Sequence, residues 1–169
     1  MRTDIGWPLT SNVIRRNSVS NTFGPVRHNP NGTVRVHQGW DFYAPVGTPC
    51  YAIADGDVSR IDFGGDYGLV VVLSFTIGSQ ELFAAYAHLS KSAVKMKDGV
   101  TKGQVIGYTG KSGNAAKLKS REDGHLHFEI RDEPRPGKGS HHRMSPAKVF
   151  GFCPLKHAYV WSSRPAAKG

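Results

Sequence analysis

The sequence predicts a mainly β protein built on an antiparallel sheet core. Short apolar runs recur from Cys50 onward, Gly and Asp separate them, and no long amphipathic helical stretch occurs in the 169 residues. The 20 Gly and 10 Pro suit many tight turns, and a hydrophobic fraction of 38% suffices for a packed core.

Residues 1–36 are polar, rich in Asn, Arg, Pro and Gly, and show no sustained helical or strand period, so they read as an irregular arm. YAIADGDVSRI, LVVVLSF, ELFAAYAHL, QVIGYTG and HLHFEI read as strands. The linking segments GGDYG, TIGSQ, KDGVTKGQ and TGKSGN put Gly, Asp and Asn where tight turns need positive φ, and read as hairpin connections. Residues 91–98 (KSAVKMKD) read as one or two helical turns. The polar, basic segment AKLKSREDG (116–124) reads as a surface loop just before the last strand, and the tail ending in SSRPAAKG is expected to fray. No internal repeat or low-complexity block is present. The length fits one domain: an N-terminal arm over 1–22, the domain proper over 23–150 and a C-terminal extension over 151–169.

The charge balance, 22 Lys and Arg against 13 Asp and Glu for a net +9, creates a field that attracts polyanions. There is no basic helix with heptads, no zinc-finger spacing and no RNP-like strand, so a nucleic-acid partner is not expected. The longest aliphatic run, Leu69 to Leu73, is far short of the roughly 20 residues that cross a bilayer, and no membrane span is expected. The N-terminus lacks the apolar region of a secretory signal peptide. Cys50 and Cys153, without a CxxC, exclude a four-cysteine zinc site and a disulfide scaffold. A single bridge between them and two free thiols both stay open.

The arrangement of the eight histidines carries the chemistry. In HLHFEI, strand alternation sends His125, His127 and Glu129 to one side and Leu126, Phe128 and Ile130 to the other. The apolar row faces the core and the two imidazoles, about 7 Å apart, face a site where one binds a metal and the other reaches its water or substrate. In HQGWD, His37 and Asp41 share a face, and Gly39 between them permits close backbone approach. In YAHLS, His88 ends a run in which Leu82, Ala84, Tyr86 and His88 share a face if it is a strand. Each motif is weak alone. Together they supply what a zinc hydrolase needs: three ligands in His37, Asp41 and His127, and His88 and His125 for proton and charge work. His28, His141, His142 and His157 are left as surface residues.

HQGWD, YAHLS and GHLHFEIR, in that order, with GxPCYAxADGxV-like and VTKGQVIGYTGKSG segments between and FGPVR before, closely resemble the LytM-type, M23 family of zinc peptidoglycan endopeptidases over residues 23–131. The resemblance implies a LytM/lysostaphin-like fold of the duplicated-hybrid-motif type, with long loops walling a groove. It implies one zinc ion on His37, Asp41 and His127, and catalytic assistance from His88 and His125. AKLKSREDG, with three basic residues where many members have a short small-residue link, departs from the family pattern and becomes a candidate groove wall facing acidic stem-peptide groups.

The expected function is therefore zinc-dependent hydrolysis of peptide cross-links in the bacterial cell wall, by a monomer acting in the periplasm or at the external wall. The alternative is a non-catalytic LytM-like module that binds wall or regulates an amidase, against which the intact set of five residues speaks. Delivery as an antibacterial effector, association with a phage, or excision from a longer secreted protein all fit the lack of a visible signal peptide; the effector is the reading favoured, and it implies an immunity protein in the producing cell.

Overall fold

A computed structural model describes residues 5–120 and 123–162. Among the described residues thirteen strands form in chain order: β1 (Ser11–Asn12), β2 (Gly24–His28), β3 (Val34–His37), β4 (Trp40–Tyr43), β5 (Pro49–Tyr51), β6 (Gly56–Gly64), β7 (Gly68–Ile77), β8 (Gln80–Ser92), β9 (Gly99–Val100), β10 (Val105–Thr109), β11 (His125–Arg131), β12 (Arg143–Met144) and β13 (Tyr159–Val160). Nine of them make one antiparallel sheet in the order β12-β11-β8-β7-β6-β9, with β4 on β11, and β10 bridging β5 and β8. The sole α-helix among the described residues, α1, is the single turn Ala147–Phe150. The fold class predicted from the sequence is the one observed.

The long central strands β7 and β8 are Val-, Leu- and Phe-rich because both of their faces are covered. Leu73, Ala84, Tyr86, Leu126, Phe128 and Ile130 project into the main core, where they meet Trp40, Phe42 and Ile106. The opposite face holds a smaller cluster of Val70, Val72, Phe83, Ala85 and Ala87. Ala87 and Ala85 lie opposite His127 and Glu129 across the β8–β11 ladder. Two methyls there leave room for an imidazole and a carboxylate side by side.

Three local readings differ from expectation. Part of the irregular arm is a hairpin, β2–β3, in which Val34 and Val36 alternate with Arg35 and His37 but are exposed or half-buried, so they make no core-facing row. Residues 91–98 form no helix: β8 continues to Ser92, and a turn follows in which Asp98 accepts the Lys95 amide. TGKSGN does not close a hairpin, because β10 and β11 both pair with β8 and the chain crosses between them through a 3-10 turn, Gly113–Lys117. GGDYG and TIGSQ do connect paired strands, β6–β7 and β7–β8.

The segment before residue 23 contributes Trp7, Leu9 and Ile14 to the main core, and Trp7 stacks on Phe150 at 4.1 Å between ring centroids. Cys50 and Cys153 are both free thiols. Burial raises the Cys50 thiol far above its usual range and pushes Cys153 up to about 11. Of the 116–124 loop, Arg121 and Glu122 lie outside the described residues, as does all but the start of the SSRPAAKG tail.

Candidate active site

Four elements bring the five singled-out residues to the sheet face lined with alanines. β11 supplies His125 and His127, which alternation sends away from the core, and β4 supplies Asp41, directly opposite His127 in register. β3 ends at His37, and the turn to β4 passes so close to β11 that a Cβ on Gly39 would lie 2.2 Å from the Phe128 carbonyl oxygen. Only glycine fits there, which accounts for HQGWD having Gly between its two polar residues.

His88 reaches the face by a different route. At a bulge, β8 spends two residues against one of β7 between the pairs Leu69–Leu89 and Val71–Tyr86. His88 takes φ +59° there, and its amide donates to the Tyr67 carbonyl at 2.9 Å. The expectation that His88 shares the face of Leu82, Ala84 and Tyr86 is thereby corrected. Those three enter the core, while the bulge turns the imidazole into the groove, its centroid 4.9 Å from that of His125 and 5.9 Å from that of His127.

One ligand atom from each of His37, Asp41 and His127 converges on a common point. His127 Nδ1 lies 2.7 Å from Asp41 Oδ1, and His37 Nε2 lies 3.3 Å from both. All three residues are buried. Tetrahedral ligation at about 2.0–2.1 Å sets ligand atoms about 3.3 Å apart, so two sides of this triangle already match and the third is one hydrogen-bond length. The donor set fits a divalent metal ion.

The remaining atom of each ligand is held by the protein. His37 Nδ1–H donates to the Thr22 carbonyl at 2.8 Å, His127 Nε2–H donates to Glu129 Oε1 at 2.9 Å, and Asp41 Oδ2 accepts from Arg27 Nη2 at 2.7 Å. Such partners fix ring orientation and choose the nitrogen turned to the ion. Burial opposes the Asp41 charge, but hydrogen bonds and the charges of His127 and His37 outweigh it and hold the carboxyl well below its usual range. Burial likewise opposes the His127 proton, and Asp41 and Glu129 together reverse this, pushing the ring up to about 9.

His88 and His125 are biased the opposite way. Burial, joined by the neighbouring imidazoles, brings His88 down to about 4, and burial also lowers His125. Each points Nδ1 at a backbone carbonyl, Ser112 at 2.8 Å and Asp123 at 3.3 Å, which requires Nδ1 to carry the hydrogen. In the neutral ring the lone pair then resides on Nε2. Both rings line a groove of about 650 Å³ with the three ligands. In that state each ring keeps an unprotonated Nε2 free of the backbone.

His28, His141, His142 and His157 are exposed, as expected of surface residues. Sequence reasoning gave no role to Glu129, Tyr67 or Arg27. Glu129 is 1% exposed, and its Oε1 accepts from His127 and from the Tyr67 hydroxyl while Oε2 accepts from Arg131 Nε at 2.6 Å and Arg143 Nε at 2.9 Å. Alternation had put Glu129 on the histidine side of β11, which was the available signal. Tyr67 lay in GGDYG, which read only as a turn, and Arg27 in FGPVR, whose function depends on pairing 14 residues away.

The model of the family described as "Peptidase family M23" matches residues 35–141. An uncharacterized metalloprotease of Haemophilus influenzae is 38% identical over 118 residues, covering 69% of this chain and 23% of its own length. The peptidoglycan DD-endopeptidase ShyC of Vibrio cholerae is 35% identical over 113 residues, covering 66% of this chain and 24% of its own. This chain thus spans about a quarter of such curated relatives. The solved structure of LytU superposes with TM-score 0.62 at 30% identity, covering 82% of this chain and 87% of that one. The catalytic domain of lysostaphin from Staphylococcus simulans gives 0.61 at 27% identity, covering 78% and 90%. From the matched stretch, which contains all five converging residues, the chain belongs to peptidase family M23.

Proposed function

We propose that this chain is a zinc-dependent endopeptidase that hydrolyses peptide cross-links of bacterial peptidoglycan, with His37, Asp41 and His127 as metal ligands and His88 and His125 as catalytic residues. The observation that carries the reading is the division of labour among the imidazoles. Two of them give one nitrogen to a closed triangle of ligand atoms, and two others present Nε2 to the same groove with Nδ1 tied to backbone. The named activity of the DD-endopeptidase relative agrees with it.

Zinc bound there supplies Lewis acidity that makes water a competent nucleophile near neutral pH. The protein's own residues do the rest. The neutral His125 and His88 rings accept the proton that water loses on attacking the scissile carbonyl, and either can return it to the leaving amine. Tyr67 donates its hydroxyl hydrogen to Glu129, and its ring stacks on His127 at 5.1 Å, closing that side of the groove. Cleavage of wall cross-links implies action in the periplasm or at the external wall. No helix among the described residues is long and apolar enough to cross a membrane. Delivery as an antibacterial effector countered by an immunity protein, and action as a monomer, form part of the same proposal.

The test is elemental analysis paired with digestion of purified sacculi. His127→Ala and Asp41→Ala are expected to lose zinc and muropeptide release together, whereas His125→Ala keeps zinc and releases none. A metal-free His125 variant beside a fully loaded His127 variant would overturn the assignment. Wall binding without release by the zinc-loaded wild type would favour the non-catalytic module.

A further inference from the structure

The β2–β3 hairpin sets two arginines against each other. Arg27 and Arg35 are register partners, so their side chains leave the same face of the hairpin, and both line the groove. Like charges directly opposite across an antiparallel pair are destabilising, and Asp41 compensates only the Arg27 side of this one. Arg27 is committed to Asp41, the Ser20 carbonyl and Asn21. Arg35 is exposed, and its guanidinium has no hydrogen-bond or ion-pair partner among the described residues.

The other groove cations divide in the same way. Arg15 is paired with Asp123, and Arg143 is spent on Glu129 and on the Gly137 and Gly139 carbonyls. Lys138 lines the groove, is exposed, and has no side-chain partner among the described residues. Against these stand Asp41, enclosed by Arg27 and imidazoles, and Asp66. Arg35 also sits two residues before His37 on β3, so the two side chains share a face about 7 Å apart along the strand. That separation is within about two residues of an extended substrate from the ligand cluster.

We propose that Arg35 and Lys138 form a carboxylate-binding subsite that selects cross-link peptides bearing a free carboxylate beside the scissile bond over neutral ones such as glycine bridges. This rests on the peptidase reading above. Arg35 supplies a planar fork that takes a carboxylate bidentately, and Lys138 supplies a mobile point charge for the same anion.

The experiment uses the zinc-loaded chain and two synthetic cross-linked peptides identical except that the carboxylate beside the scissile bond is free in one and amidated in the other. Wild type is expected to favour the free form about tenfold in kcat/KM, chiefly through KM. Arg35→Gln and Lys138→Gln bring that ratio towards one, while Lys95→Gln, an equal loss of charge outside the groove, leaves it unchanged. Equal turnover of both peptides by wild type overturns the subsite, as does an equal loss on both peptides in the Arg35 variant, which would point to a nonspecific field for polyanions. Affinities of the two peptides for His125→Ala are measured alongside. Should neither peptide be cleaved, the peptidase reading fails, and the affinity ratio still decides the subsite.

Discussion

Glu129 Oε1 stands 2.9 Å from His127 Nε2, two residues away on the same face of one strand, and so determines which nitrogen His127 turns to the ligand triangle. Burial opposes the Glu129 charge, but His127, Arg131 and Arg143 overcome it and hold the carboxyl far below its usual range.

Replacing Glu129 by Gln therefore acts twice. It loosens the His127 ring, and it leaves Arg131 and Arg143 without the shared oxygen charge. Zinc affinity is expected to fall about 10- to 100-fold, measured by competition with a chromophoric chelator. Stability is expected to fall by about 3–5 kcal/mol, measured by urea unfolding, because a buried charge network loses one member. Unchanged zinc affinity beside lowered stability would make Glu129 a structural residue only.

Cys153, pushed up to about 11 by burial, is almost wholly a neutral thiol at pH 8. Alkylation by iodoacetamide at that pH is expected to be about two orders of magnitude slower than for an unstructured cysteine, because only the thiolate reacts. Cys50, more deeply buried, should not react until the chain unfolds. Mass spectrometry of timed samples separates the two. Rapid labelling of Cys153 in folded protein would contradict its placement.

The bulge at His88 makes a prediction about backbone, independent of the imidazole. At φ +59° a β-branched residue is strained, whereas Gly is not. His88→Gly is expected to unfold within about 1 kcal/mol of wild type, and His88→Val to cost about 1–3 kcal/mol more. Both should lower turnover by about 10²- to 10⁴-fold if His88 moves protons. Equal stability of the two variants would mean that residue 88 is not held in this conformation.

The same bulge shows where sequence reading stops. Period-two alternation correctly put Leu126, Phe128 and Ile130 in the core and the two histidines of β11 opposite them, because that strand is regular along its length. Applied to β8 it failed at one residue, since a bulge is set by register with a neighbouring strand and leaves no local pattern. The β2–β3 hairpin was unreadable for a related reason: Arg27 is fixed by Asp41, 14 residues away, and not by an apolar face of the hairpin. Glu129 was visible as a residue on the right face. Its importance depends on Arg143, 14 positions away. TGKSGN shows the converse case, turn chemistry present in the sequence but used to seat Ser112 against His88 and β7 in place of closing a hairpin.

A last expectation concerns the boundary drawn at residue 23. Trp7, Leu9 and Ile14 are at most 5% exposed in the main core, the Pro8 carbonyl accepts the Tyr51 amide, and Ile14 bridges to Phe42 beside Asp41. The Thr22 carbonyl also orients His37. Trp7→Ala alone should cost about 3–5 kcal/mol, since it removes a large buried ring stacked on Phe150. A chain beginning at residue 23 loses all three side chains and most of the bracing of His37, so it should show a non-cooperative urea transition and bind zinc weakly. Cooperative unfolding of that shortened chain, with wild-type zinc affinity, would show that the first 22 residues are an arm after all; the opposite result would make them an integral layer of the active domain, packed from behind the ligands they help to aim.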